Sequence, residues 1–307
     1  MLDTPPITGR FAPSPTGPLH FGSLIAALGS YLAARSVGGR WLVRMEDVDR
    51  TRTIPGAADG ILNSLRAHGL HWDGTVMVQT ERDAAYQAAM DSLLERSLAY
   101  PCSCNRKRIM AAGLRAVDGG WVYPAYCRNG PDPARPANIV RLRVDATPVG
   151  FEDQVQGGVQ QCLETDVGDF PLRRGDGLFA YQLAVVVDDG EQGVTQVVRG
   201  SDLLDSTPRQ IALQRALGLP QPDYLHLPVA THPGGNKLSK QTHAPALDDE
   251  RATDNLWLAL NFLGQSPPLD LRGADVSALL RWALDHWDHT RIPGVRELEW
   301  APRPAGG

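Results

Sequence analysis

The segment RFAPSPTGPLHFGS, Arg10 to Ser23, constrains the fold of this chain more than any other. It sets three prolines and two glycines between an apolar run at 7–11, which reads as a strand, and a periodic apolar segment at 23–34, which reads as a helix. Proline rings fix the torsions of the connecting loop, and Gly22 lets a ligand approach the main chain closely. The start of the helix offers unbonded N–H groups and the positive end of its dipole. Strand, rigid loop and helix in that order predict a phosphate site, with His20 donating a hydrogen bond to a phosphate oxygen. By itself an HxG match also suits a proline-rich connection with one exposed histidine, so the rest of the chain has to decide.

RWLVRMED reads as a second strand with a polar exit, and helical patterns follow at 56–68 and 83–97. Strand, helix, strand, helix is the order of a doubly wound, Rossmann-like parallel sheet, so an α/β fold is expected. Between 100 and 145 the pattern breaks into a Cys, Gly and Pro-rich stretch, read as an insertion at one edge of that sheet. IVRLRV, the alternations at 151–163, YQLAVVVDD and VTQVVRG then read as strands. A helix at 207–217 and a short strand at 224–229 lead into GGNKLSKQ, and helical patterns at 249–262 and 275–286 make a small C-terminal subdomain. The expected organisation is 1–99 and 146–245 as two halves of one catalytic domain, 100–145 as the insertion and 246–307 as the helical subdomain, with the tail APRPAGG frayed.

Charge and cysteine content narrow the chemistry. A net charge of −5 excludes non-specific coating of nucleic acid, which relies on many Lys and Arg contacts to phosphate, but leaves selective binding open. No apolar stretch approaches the roughly 20 residues that span a bilayer. MLDTPPITGRF lacks the basic and apolar regions of an export signal, so a cytoplasmic location is expected. Lysine is confined to Lys107, Lys237 and Lys240, and the last two share the pentapeptide KLSKQ. Two cations and a hydroxyl on one loop suit a triphosphate whose charge moves toward pyrophosphate as the bond to the α-phosphate breaks. Four cysteines are too few for a disulfide framework. Cys102, Cys104 and Cys127 cluster, which favours a metal, whereas Cys162 lies in a strand pattern and reads as a buried apolar thiol.

Taken together, in this order and more than 200 residues apart, the two motifs resemble the HIGH and KMSKS elements of class I aminoacyl-tRNA synthetases, and RFAPSPTGPLHFGS resembles the glutamyl version of the first. The likeness runs from Thr8 to about Pro245. Ser23 stands where HIGH has its second His, and Leu238 and Gln241 replace the Met and final Ser of KMSKS, while His20 and Lys240 are retained. The resemblance implies adenylate formation from glutamate and ATP, with Mg2+ accompanying the nucleotide and His20 and Lys240 catalytic. It implies ATP contacts from His20, Gly22, Ser23, Lys237, Ser239 and Lys240. Glutamate contacts follow in the same way from Arg10, Phe11, Ala12, Pro13, Ser14, Glu46, Tyr181 and Arg199, Glu46 serving the ammonium group and Arg199 the side-chain carboxylate. Physical need agrees, because an ionic substrate in a dry site wants a counter-charge for each of its own.

A structural zinc site takes four ligands, and the clustered cysteines supply three. The region around them closely resembles the glutamyl-Q tRNA(Asp) synthetase sub-family, which implies Tyr123 as the fourth ligand of one zinc ion held with Cys102, Cys104 and Cys127. Sequence alone leaves Tyr126 and His71 as substitutes, and three reduced thiols without metal as the plain alternative. The sub-family also implies action on queuosine in the anticodon of tRNA(Asp), a base whose cyclopentene cis-diol is chemically like the 2′,3′-diol of a terminal adenosine; a monomer is expected. Only 66 residues follow Gln241, and no anticodon-binding domain is expected among them. The alternative enzyme is a minimal glutamyl-tRNA synthetase charging the tRNA 3′ end. A tRNA-binding relative without chemistry would have no need of His20, Lys240, Glu46 and Arg199 together.

Overall fold

The computed structural model describes residues 6–117, 119–232 and 245–300. β1 (Thr8–Phe11) leads into α1 (Phe21–Arg35), β2 (Arg40–Met45), α2 (Ala57–Ala67), β3 (Met77–Val78) and α3 (Asp83–Glu95), close to the predicted ranges except for β3, a two-residue strand the periodicity does not mark. β1 pairs in parallel with β2, and β2 with β3. Next come β4 (Ala99–Cys102), α4 (Arg106–Met110), β5 (Ile139–Leu142), the hairpin of β6 (Val149–Asp153) and β7 (Gly157–Gln161), α5 (Leu163–Asp166) and β8 (Pro171–Arg173). β5 pairs antiparallel with both β4 and β8, so the sheet of the insertion recruits a strand from beyond residue 145.

The parallel pattern resumes with α6 (Tyr181–Glu191), β9 (Gln196–Gly200), α7 (Thr207–Leu217) and β10 (Asp223–Leu227). β10 pairs in parallel with β9 on one side and β6 on the other. The two halves meet at β1 and the start of β9, where the Thr195 N–H donates to Thr8 O at 3.0 Å and the Thr8 N–H to Thr195 Oγ1 at 2.9 Å. β2 therefore leaves β1 on one side and β9 lies on the other. Such a reversal is the switch point at which an open α/β sheet forms its ligand crevice.

Neighbouring strand residues identify the two faces of the sheet. Val198 and Leu225 pack with Leu24, Leu28 and Leu32 of α1, while Val197 and Tyr224 pack with Met90 of α3, Leu183 and Val186 of α6 and Ile211 of α7. Successive strand side chains point in opposite directions, so both faces are covered, as a parallel sheet requires. The chain closes with β11 (Val229–Thr231), α8 (Ala252–Phe262), α9 (Val276–His286) and β12 (Glu297–Glu299), the last parallel to β11. Leu256 and Leu260 of α8 and Leu279 and Leu280 of α9 join the α1 core, so the C-terminal helices pack into the catalytic layer. No described helix is long and apolar enough to cross a membrane.

Two local expectations are corrected. YQLAVVVDD is not a strand but α6, in which Leu183, Ala184, Val185, Val186, Asp188 and Asp189 are all buried. A short apolar run surrounded by packing on all sides carries no period that separates strand from helix, and here tertiary contacts override the strand preference of three consecutive valines. Cys162 stands just beyond β7 as the residue before α5, half-buried rather than enclosed, with its Sγ 3.6 Å from Ala146 O.

Candidate active site and metal centre

The crevice at the switch point is lined by His20, Gly22 and Ser23 from the loop and first turn of α1, Gly200 and Asp202 after β9, and 227–230. His20 has extended torsions and caps α1: its Nδ1 accepts the Ser23 N–H at 3.2 Å. With Nδ1 an acceptor, the neutral ring carries its proton on Nε2, which lies 3.2 Å from Ser23 Oγ. The ring thus presents a donor at the head of a helix whose N–H groups are open to an anion. Ser23, the departure from the HIGH pattern, touches His20 through both its main chain and its hydroxyl. The Lys237, Ser239 and Lys240 expectations lie outside the described residues. On the far side of that segment, Leu247 N–H donates to Leu19 O at 2.9 Å and Ala246 forms a bridge with His20, so the chain re-enters beside the crevice.

Behind the crevice is a buried ionic cluster drawn from β1, β2 and α6. Arg10, 3% exposed, donates from Nε to Asp189 Oδ1 at 3.1 Å. Arg44 is fully buried and reaches Asp189 at 2.7 Å, Gln192 at 2.8 Å and Glu46 at 3.1 Å. Burial opposes the charge on Asp189, but Arg10 and Arg44 outweigh it and hold the carboxyl below its ordinary range. For Glu46 the balance falls the other way: burial pushes its carboxyl up although Arg44 and Arg10 stand close. Loop residues Pro13 and Pro15 close the cluster, accepting from Glu46 N–H at 2.9 Å and Ile54 N–H at 3.0 Å. Tyr181 opens α6 within electrostatic reach of Glu46, Arg199 and Arg10, and burial, followed by Glu46, drives its hydroxyl up to about 12.

Arg199 is handled differently. It is 6% exposed, yet its described partners are neutral: Nε donates to His226 Nε2 at 3.0 Å and Nη2 to Thr207 Oγ1 at 2.9 Å, with the Tyr224 ring 5.9 Å from its guanidinium. Its Nη1 is buried without a hydrogen-bond partner among the described residues. His226 stays neutral because burial, followed by the opposing charge of Arg199, brings it down to about 4 despite Asp153 at 2.6 Å from Nδ1. A buried cation with a spare donor is costly without an anionic ligand.

The structure therefore gathers Arg10, Glu46, Tyr181 and Arg199 around one site, with His20, Gly22 and Ser23 at the adjoining crevice. Sequence reading missed Arg44, Asp189, Thr207, His226 and Asp153. An arginine inside an otherwise apolar strand, RWLVRM, and two consecutive acids after a valine run were the available signals, since buried charges come paired.

In the insertion, the Sγ atoms of Cys102, Cys104 and Cys127 lie within 4.8 Å of one another, all buried. Cys104 and Cys127 are 3.6 Å apart, and Tyr123 Oη is 3.3 Å from Cys102 Sγ and 3.7 Å from Cys104 Sγ. Tetrahedral zinc with ~2.3 Å bonds to sulfur separates its ligands by about 3.8 Å, so these four atoms fit the corners. Tyr126 is 47% exposed beneath Arg108, and His71 belongs to the loop after α2, which leaves Tyr123 as the tyrosine facing the thiols. Burial raises Cys104 to about 11; it opposes ionisation of Cys127 too, but hydrogen bonds from Tyr123, Ser103 and Cys104 hold that thiol at about 6. Arg141 donates to Cys102 Sγ at 3.3 Å and stacks 3.9 Å over the Tyr123 ring. Gly168, with φ of +75°, passes so near Tyr123 that a Cβ would stand 2.4 Å from its carbonyl oxygen.

Residues 6–263 match the family described as tRNA synthetases class I (E and Q), catalytic domain. Among curated relatives, the chain is 57% identical over 94% of its length to the glutamyl-Q tRNA(Asp) synthetase of Dechloromonas aromatica, spanning 96% of that protein. It is 53% identical to the one from Geobacter sulfurreducens, covering 94% of each chain. In three dimensions it superimposes on the glutamate-tRNA synthetase of Elizabethkingia anophelis with a TM-score of 0.78 at 23% identity, covering 96% of this chain and 68% of that one.

Proposed function

We propose, for a chain that belongs to the class I tRNA synthetases (E and Q) and within them to the glutamyl-Q tRNA(Asp) synthetases, that it activates glutamate with ATP without needing tRNA and esterifies the product to queuosine in the anticodon of tRNA(Asp). The observation that carries this reading is the 57% identity to a glutamyl-Q tRNA(Asp) synthetase along nearly the whole of both chains. The site geometry supports it. Arg199, buried and opposed by no carboxylate among its described partners, receives the side-chain carboxylate, Glu46 receives the ammonium group, and the 10–14 segment with Tyr181 encloses the substrate.

In this reading ATP lies in the crevice with Mg2+, its phosphates against the head of α1. His20 Nε2–H, with Gly22 and Ser23, contacts a phosphate. The glutamate α-carboxylate attacks the α-phosphate and pyrophosphate leaves, with Lys237, Ser239 and Lys240 following the charge onto the leaving group. A hydroxyl of the queuosine diol then attacks the glutamyl carbonyl and releases AMP. Cys102, Cys104, Tyr123 and Cys127 hold one structural zinc, which ties together an insertion with little core of its own. Residues 100–145 carry eight basic and three acidic side chains in a chain of net charge −5; with Arg141 buried and Arg128 paired with Glu164 and Asp169, the remaining six basic side chains supply the charge an RNA backbone would meet. In this reading the protein is a cytoplasmic monomer with tRNA(Asp) as its partner.

Two measurements test this. Glutamate-dependent exchange of pyrophosphate into ATP is expected without tRNA, and Lys240→Ala is expected to slow it about 100- to 1000-fold, the scale of one preorganised transition-state charge. An unchanged rate removes KLSKQ from the mechanism. Labelled glutamate is expected on an isolated queuosine-containing anticodon fragment and not on the same fragment lacking queuosine. Label confined to the 3′ end of tRNA(Glu) would instead make this a minimal glutamyl-tRNA synthetase.

A further inference from the structure

We infer that His226 and Asp153 form a positioning relay that aims Arg199 at the glutamate side chain and so sets the affinity for the amino acid. The inference rests on the reading of Arg199 given above and assigns a role to two residues outside the glutamate contacts. Asp153, at the end of β6, is 4% exposed and is saturated by donors: the His226 ring at 2.6 Å, the His226 N–H at 3.1 Å, the Val155 N–H at 3.0 Å and the Gln156 N–H at 2.9 Å. Its bond to Nδ1 assigns the ring proton to that nitrogen. Nε2, on the opposite edge, is thereby left as an acceptor, and it takes the Arg199 Nε–H at 3.0 Å. Both His226 and Asp153 have side chains 0% exposed, so neither is available to substrate.

A direct carboxylate partner would also orient Arg199, as Asp189 does for Arg10 and Arg44, but it would cancel the charge that the substrate must meet. Interposing a neutral imidazole transmits the direction fixed by Asp153 while leaving the guanidinium cationic. Thr207, at the start of α7, holds Nη2 in the same way with an uncharged oxygen. With Nε and Nη2 both occupied, the planar fork is locked, and Nη1 is the donor left for a ligand.

Two isosteres separate the relay from mere packing. In His226→Gln the side-chain oxygen can reach the position of Nε2 and still accept from Arg199. In His226→Asn the amide can still donate to Asp153 but leaves the Arg199 Nε–H without an acceptor. Glutamate KM and ATP KM are measured separately by pyrophosphate exchange, with thermal unfolding as the control for folding. His226→Asn is expected to raise glutamate KM on the order of 10- to 100-fold, the scale of one hydrogen bond to a charged group, with ATP KM within about threefold because the lost interaction serves glutamate binding alone. His226→Gln, which keeps the acceptor for Arg199 but loses the ring's bond to Asp153, is expected to raise glutamate KM less than His226→Asn does, with ATP KM within about threefold. Equal glutamate KM in His226→Asn and the unaltered protein overturns the relay, as does a parallel rise in ATP KM. If His226→Asn does not fold, a folded Asp153→Ala with the glutamate KM of the unaltered protein overturns it equally. Absence of glutamate-dependent exchange in the unaltered protein overturns the functional reading and the relay with it; exchange that ignores the substitution overturns the relay alone.

Discussion

In the ionic pocket, charged side chains arrive from Arg10, Arg44 and Glu46 near one end of the chain and from Asp189 and Arg199 far along it, and each is fixed by strands and helices of a two-faced core. In the insertion, four polar groups come from 102–127 alone, and among the described residues the packed cluster adds Tyr100, with Ile109 and Ile139 at its margin. The pocket can be prearranged without its ligand because internal ion pairs and hydrophobic layers already hold it. Among the described residues the cysteine cluster is a smaller packed group, and in the proposed reading a zinc ion would hold it together. Preorganisation by tertiary packing and preorganisation by metal are thus expected to fail in different ways.

The strongest test of the first half of that contrast is Asp189→Ala. It leaves Arg10 and Arg44 buried without their shared anion, and removing one partner of such a group typically costs about 3–5 kcal/mol. Equilibrium denaturation should register a loss of that order; a loss below about 1 kcal/mol would mean that water already screens the cluster.

The second half predicts near-equal zinc and protein on metal analysis, and loss of the metal in Cys104→Ser. Cleavage by a protease should then concentrate within 103–138 while the parallel sheet stays protected, because the side chains packed around the thiols form a cluster separate from the two cores on the sheet. Uniform cleavage along the chain would show that the insertion and the core unfold as one unit, and full retention of protection without zinc would remove the metal from the structural account.

A smaller effect concerns pH. His226 is held down at about 4 against an ordinary value of 6.5, so the unfolded chain binds a proton that the folded chain refuses between those limits. Stability contributed by the neutral ring is present above about 6.5 and is lost as pH falls toward 4, with a slope of about 1.4 kcal/mol per pH unit for one proton. Asp153, whose carboxyl is held below its ordinary range mainly by its bonds to His226 against the opposing effect of burial, adds a loss at still lower pH. Denaturation at a series of pH values should show a slope reduced by one proton in His226→Gln; an unchanged slope would place the titration elsewhere.

Much of the fold was legible because its signals are local. The proline-rich loop between β1 and α1, the helix at 207–217 and the amphipathic C-terminal helices all carry their own periodicity or caps, and α7 spans the predicted residues. α6 was not legible, since LAVVV is equally apolar on every side and only the layers packed against it select a helix. The site divides along the same line. His20, Glu46, Tyr181 and Arg199 could be read from motif strings that resemble a family, whereas Asp189, His226 and Asp153 carry no local mark.

What the sequence by itself determined is the chemistry available: a donor histidine before a helix, two lysines and a serine on one segment, three clustered thiols, and counter-charges at strand ends. Local steric and hydrogen-bonding rules act over a few residues, so these could be read in place. Which cations are neutralised and which remains charged was decided only by tertiary structure. Arg10 and Arg199 look alike along the chain, but α6 brings Asp189 against the first, and β10 brings a neutral His226 against the second. That difference arises from contacts between residues 179 and 27 positions apart, and a charge in a dry interior is governed by what lies within a few ångströms of it in space.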